Sequence, residues 1–288
     1  GAVISGTPTA TGLFGVNLSA QNSGGTGTKT LLLNIAKANA TVVVTPYNVT
    51  YDGNPHTATF TITGVNGDTG AAVGTVTLNS THTAAGTYAD SWSFTGSINY
   101  NNIGSTPITD TIAKAAAAIL VTPYSVTYDG NAHTATGSAT GVKGESLRGL
   151  SLAATTHTNA GTTTDAWTFT DATGNYKNAS GSVVDAIAKA DATVTVNGYT
   201  GTYDAAAHGA TGSATGVGGA ALGGLNLGAS FTDAPGGTAN WSFAGGANYN
   251  NTSGSVAILI NKADATIVVN GYTGIYDAAA HGATGSAA

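Results

Sequence analysis

The chain has 288 residues, 42 of them Gly, with a formal net charge of −6, only 8% Asp, Glu, Lys and Arg, and neither Cys nor Met. Without Cys there is no disulfide framework, thiolate metal centre or cysteine nucleophile. The eight Lys and Arg (Lys29, Lys37, Lys114, Lys143, Arg148, Lys177, Lys189, Lys262) are scattered singly, which excludes the clustered cationic surface that nucleic acid requires.

No apolar run reaches the roughly 20 residues of a membrane-spanning helix. The opening Gly1-Ala2-Val3-Ile4-Ser5-Gly6 lacks a signal peptide's basic start, and we expect the chain to be an interior piece of a longer protein. Residues 1–37 contain the runs Val16-Asn17-Leu18-Ser19-Ala20-Gln21-Asn22 and Thr30-Leu31-Leu32-Leu33-Asn34-Ile35. They predict two or three closing strands, the C-terminal part of an Ig-like domain whose front half lies upstream.

From residue 38 onward the chain repeats. The blocks Tyr51-Asp52-Gly53-Asn54-Pro55-His56, Tyr128-Asp129-Gly130-Asn131-Ala132-His133, Tyr203-Asp204-Ala205-Ala206-Ala207-His208 and Tyr276-Asp277-Ala278-Ala279-Ala280-His281 begin 77, 75 and 73 residues apart. Lys37, Lys114, Lys189 and Lys262 precede them at constant distance. A second block follows in each complete repeat: Trp92-Ser93-Phe94 then Asn99-Tyr100-Asn101-Asn102, Trp167-Thr168-Phe169 then Asn175-Tyr176-Lys177-Asn178, and Trp241-Ser242-Phe243 then Asn248-Tyr249-Asn250-Asn251. Two blocks in fixed order define repeats at 38–114, 115–189 and 190–262, with the N-terminal part of a further repeat at 263–288.

Within a repeat the period is two. In Thr57-Ala58-Thr59-Phe60-Thr61-Ile62-Thr63 and Ser91-Trp92-Ser93-Phe94-Thr95, apolar residues alternate with Thr or Ser, the pattern of a half-buried strand. Val and Thr favour extended backbone, and Asp-Gly, Asn-Gly and Gly-Gly pairs supply turns. Six or seven short strands per repeat fit an all-β tandem array of small Ig-like β-sandwiches. A compact 75-residue unit has a radius of gyration of about 11 Å, so successive repeats reach roughly 30 Å apiece.

The Tyr-Asp-Gly-Asn-Pro-His and Trp-x-Phe…Asn-Tyr-x-Asn blocks resemble the MBG and YDG types of bacterial Ig-like repeat. Ile4-Ser5-Gly6-Thr7-Pro8 and the turn Gly24-Gly25-Thr26-Gly27-Thr28-Lys29 are similar to the end of a cadherin-like Ig domain. The resemblance implies a stretch of a long extracellular, cell-surface protein or adhesin, with no catalytic residues to carry over.

The residues suggest few sites. The histidines (His56, His82, His133, His157, His208, His281) offer one or two per repeat, too few for zinc; each imidazole is expected to bond a backbone group beside its hairpin. Asp185, Asp191 and Asp264 near the linkers invite a calcium site, but that cation takes six to eight oxygens. The linker lysines invite Lys–Asn isopeptide bonds, which need a buried acid beside the pair. No Gly-x-Ser-x-Gly elbow or phosphate loop occurs. Trp92, Trp167 and Trp241 are read as core residues rather than sugar platforms.

The expectation is therefore a non-enzymatic spacer with no catalytic, cofactor or metal residues and no cofactor. Its partners are neighbouring repeats and other copies of itself, paired through exposed strand edges into filaments. The alternative is an adhesin module that binds glycan or protein through loops at the sandwich ends. Asn-x-Ser/Thr sequons, among them Asn39, Asn48, Asn79, Asn178 and Asn240, matter only in a host that glycosylates Asn.

Overall fold

The computed structural model describes residues 3–288. It is all-β, with 54% of residues in strands, and no helix among the described residues is long and apolar enough to cross a membrane. The chain divides into two compact units. The first holds the residues up to Val121 with Gly137–Ser151 and Trp167–Gly181; the second holds Thr122–Thr136, Leu152–Ala166 and Ser182–Ala288. Repeats 1 and 3 each lie whole in one unit, and the division passes through repeat 2.

The first unit opens with a long hairpin, β1 (Gly12–Asn22) and β2 (Gly25–Ile35), paired from Gly12↔Ile35 to Asn22↔Gly25. Asn22 Oδ1 accepts the Gly24 N–H at 2.8 Å and closes the turn. Repeat 1 follows with β3 (Thr41–Thr45), β4 (Asn48–Thr50), β5 (Thr59–Thr63), β6 (Gly74–Asn79), β7 (Gly86–Gly96) and β8 (Ile103–Ala113). β3 and β5 form a two-stranded antiparallel sheet; the other four run in the order β4-β8-β7-β6, with β4 parallel to β8.

Alternation places one face of each sheet in a common core. Ile62 of β5, Val76 of β6 and Trp92 and Phe94 of β7 cluster with Tyr100, and Val42 and Val44 of β3 pack against them. Both sheets of repeat 1 therefore bury their apolar faces in one cluster.

Repeat 2 reproduces this order with β9 (Ala118–Thr122), β10 (Ser125–Thr127), β11 (Thr136–Thr140), β12 (Leu150–Ser151), β13 (Gly161–Phe169) and β14 (Ala179–Ala188), sheets β11-β9 and β10-β14-β13-β12. In the second unit, repeat 3 has β15 (Thr193–Asn197), β16 (Tyr199–Thr202), β17 (Thr211–Thr215), β18 (Ala221–Leu222), β19 (Leu225–Asn226), β20 (Gly236–Phe243) and β21 (Thr252–Asn261). They form sheets β15-β17-β18 and β16-β21-β20-β19. Six, six and seven strands match the number read from the turn spacing.

The cores change in composition along the chain. Ile62 is replaced at the matching position by Ala139 and Ala214, which pack with Phe169 and Phe243. Leu147 and Leu150 join the cluster of repeat 2, and Leu222 and Leu225 pack against that of repeat 3. The last hairpin, β22 (Ile267–Asn270) with β23 (Thr284–Ala287), pairs Ile267↔Ala287 as β15 and β17 pair Val194↔Ala214.

Candidate functional site: the junctions between repeats

Each Tyr-Asp block is a self-closing turn. The Asp carboxylate accepts the backbone N–H two residues on, at 2.8 Å for Asp52, 2.9 Å for Asp129 and Asp204 and 3.0 Å for Asp277. The same Oδ1 meets Nε2 of the His four residues on at 3.0, 2.9, 2.9 and 2.7 Å. This corrects the expectation of a backbone partner for the imidazole: the turn brings the carboxylate to the ring first. The N–H and side-chain amide of Asn54 and the His56 ring hold Asp52 down to about 2, and the Asn131 side chain and N–H with the His133 ring do the same for Asp129. The residue after Asp is left-handed throughout: Gly53, Gly130, then Ala205 (φ 64°) and Ala278 (φ 60°).

The turn presents its Tyr to the following repeat. Tyr51 of repeat 1 meets Tyr176 of repeat 2 edge to face, with centroids 5.5 Å apart at 82°. Tyr128 of repeat 2 meets Tyr249 of repeat 3 at 5.5 Å and 80°. Tyr51 packs against the core cluster of Phe169 and Tyr176, and Tyr128 against that of Phe243 and Tyr249. Each receiving Tyr is anchored in its own repeat: the N–H groups of Val65, Val142 and Val217 donate to the hydroxyls of Tyr100, Tyr176 and Tyr249 at 3.0 Å. Tyr176 also donates to Glu145.

The Asn before each receiving Tyr completes the junction. Its Oδ1 accepts a backbone N–H from the preceding segment: Thr11 to Asn99 at 2.9 Å, Ala85 to Asn175 at 2.8 Å, Ala160 to Asn248 at 2.9 Å. Its backbone carbonyl accepts the N–H of the linker alanine, from Ala38, Ala115 and Ala190, at 2.9, 3.0 and 3.0 Å. At the junction of repeats 1 and 2, the Lys143 ammonium also donates to the Gly53 carbonyl and to Asn54 Oδ1 at 3.1 Å. The two recurrent sequence blocks are thus the two halves of one recurrent contact.

A second constellation lies inside repeats 1 and 2. Asp110 on β8 and Asp185 on β14 are fully buried; each uses one oxygen to accept a backbone N–H, from Tyr47 at 2.8 Å and Tyr124 at 3.0 Å, and leaves Oδ2 without a partner. Burial drives Asp110 above its ordinary value, with Asp90 adding to the rise. Burial also lifts Tyr47 to about 12, assisted by Asp110 and Asp90. Beside these, His82 bonds Asp90 at 2.9 Å and His157 bonds Asp165 at 2.8 Å. Repeat 3 replaces all three polar positions: Phe231 stands for His157, Ala239 for Asp165 and Ile258 for Asp185. The strand alternation held a signal for these acids, since Asp110 is in phase with inward-facing Ile112.

Other expected residues fall elsewhere. Trp92 belongs to the core, but Trp167 and Trp241 are only half-buried. They lie across Gly181 and Gly254 of the neighbouring strand, where a Cβ on Gly254 would sit 2.6 Å from the indole. The lysine Nζ atoms of Lys37 and Lys189 meet the carbonyls of Tyr100, at 3.3 Å, and Gly246, at 2.6 Å. Asp185 is interior rather than at a linker, while Asp191 Oδ1 accepts the Asn250 amide at 2.7 Å. Among the described residues no group of three or more His, Asp or Glu is arranged to hold a metal ion.

No protein-family model matches the chain, and no curated protein matches it.

Proposed function

We propose that the chain is a tandem array of small Ig-like sandwiches, of MBG/YDG kind, serving as a non-catalytic stalk or shaft in a long bacterial extracellular surface protein, fibre or adhesin. One observation carries this reading. The residues kept from repeat to repeat, Tyr51 and Tyr128, Tyr176 and Tyr249, Asn175 and Asn248, are those that join one repeat to the next. A binding protein keeps its ligand contacts alike; a spacer keeps its joints alike.

Two further features support it. The short strand β4 runs parallel to the last strand β8, as β16 does to β21, and apolar residues of both sheets meet in one cluster, an arrangement suited to a small Ig-like sandwich. Eight cationic residues in 288 leave few sites for trypsin-like proteases, which suits an exposed location. Neighbouring repeats are the first partners, and exposed strand edges are available to other copies.

The test is residual dipolar coupling on the whole chain against a variant carrying Tyr51→Ser, Tyr128→Ser, Asn175→Ala and Asn248→Ala. A spacer predicts one alignment tensor for adjoining repeats of the native chain and separate tensors in the variant. Separate tensors in the native chain refute it. High-affinity capture of a glycan by the chain, on an array, would move the assignment to an adhesin module that binds through its end loops.

A further inference from the structure

Three repeats deal with one partly exposed space in three ways. In repeat 1, Tyr88 fills it. Its ring stacks on the His82 imidazole with centroids 3.6 Å apart and planes at 2°, and its hydroxyl donates to the Ala84 carbonyl at 2.7 Å. In repeat 3 the positions of His82 and Tyr88 hold Phe231 and Gly237, and the Phe231 ring lies where a side chain on Gly237 would begin. In repeat 2 the Tyr88 position is Thr163, which is too short to fill it. A cavity of about 380 Å³ remains, lined by Tyr124, His157, Asn159, Gly161, Thr163 and Asp185 among others.

The cavity keeps every group that holds the Tyr88 ring. His157 replaces His82 and is fixed by Asp165 at 2.8 Å, as His82 is by Asp90 at 2.9 Å. Asn159 replaces Ala84 and lines the cavity. Thr163 Oγ1 is tied to Asp165 at 2.7 Å. Asp185 lies on the wall, fully buried, with an Oδ2 that has no partner, as that of Asp110 has none in repeat 1. The volume falls within the range of small-molecule pockets.

We infer that repeat 2 carries a binding site for a para-substituted phenol. Its ring stacks on His157 as Tyr88 stacks on His82, and its hydroxyl donates to the Asn159 carbonyl. The geometry is that of a side chain the protein itself supplies one repeat earlier. A free phenolic compound and a tyrosyl side chain of another polypeptide share this chemistry.

Amide chemical-shift titration of the whole chain tests it, with p-cresol as the free phenol, acetyl-Gly-Tyr-Gly-amide as the tyrosyl source and toluene as the ring without a hydroxyl. Expected are saturable shifts confined to residues around 156–163 and 185–187, with p-cresol at least about tenfold tighter than toluene. Shifts with p-cresol alone identify a free phenol as the ligand; shifts with the peptide as well admit a partner's tyrosine. Thr163→Tyr fills the space as repeat 1 does and is expected to abolish the shifts, while His157→Ala weakens binding about tenfold through lost stacking. No saturable shift with p-cresol, or unchanged affinity in either folded variant, overturns the site.

Discussion

Ala205 holds a left-handed conformation that Gly53 and Gly130 hold at the matching place. A Cβ there costs roughly 1–2 kcal/mol, and the turn persists because Asp204 still accepts the Ala206 N–H and meets His208. Ala205→Gly is accordingly expected to raise stability by about 1 kcal/mol in urea unfolding, allowing for the entropy glycine adds to the unfolded chain. Asp110 poses the opposite problem, a carboxyl fully buried with one oxygen unpaired. Its folded value lies above the ordinary 3.8, so folding favours its protonated form. Its support is complete below that ordinary value and is lost as pH rises through the raised one. Asp110→Asn keeps the acceptor for the Tyr47 N–H and cannot ionise. We expect it to stabilise repeat 1 by about 1 kcal/mol at pH 7, with the gain fading below pH ~4; thermal melts across that range check both the sign and the window. Asp52 and Asp129, lowered to about 2, act in reverse: their contribution is present above the ordinary carboxylate range and is lost as pH falls toward 2.

At the scale of the element, the long antiparallel pairs carry each repeat. β20 and β21 pair over eight positions, and Trp241 faces Gly254 across them. The indole lies flat over the strand because Gly254 has no side chain, as Trp167 does over Gly181. In repeat 1 the facing residue is Thr106, and Trp92 is buried with Phe94. Gly254→Val is therefore expected to displace Trp241, shifting its fluorescence to the red and lowering the stability of repeat 3 by about 1–3 kcal/mol through crowding. Blue-shifted, unperturbed emission would count against the flat packing. Strand number, the alternating faces and the turn residues were all legible in the sequence, because period two and the Asp-Gly pairs express local backbone chemistry. The half-exposed indoles of repeats 2 and 3 were not: Trp-x-Phe reads alike in all three repeats, and the difference comes from the residue across the ladder.

For the whole chain, large apolar side chains stand exposed along the first and last hairpins and at single positions of the repeats, such as Ile98 and Leu120. Leu13 and Leu32 of β1 and β2 are 68% and 64% exposed, and Ile267 and Val269 of β22 are 71% and 68% exposed. Such surfaces associate. A chain cut to 38–262 is expected to bind less of the dye ANS than residues 1–288 and to sediment as a monomer at concentrations where the longer chain self-associates. Equal dye binding by the two would locate the sticky surface within the repeats instead.

The repeat period, the all-β class, the number of strands per repeat and the two recurrent blocks follow from the sequence by itself, since each depends on residues near one another in the chain or on self-similarity. What the blocks do was decided only by tertiary structure. Tyr51 and Tyr176, or Ala160 and Asn248, are far apart in sequence and meet because turns of one repeat are laid against the Asn-Tyr block of the next. The same holds for the buried acids and the cavity of repeat 2. Thr163 is an unremarkable strand threonine until Tyr88 shows what the space beside His157 can hold, and that comparison exists only once both strands are folded over their histidines.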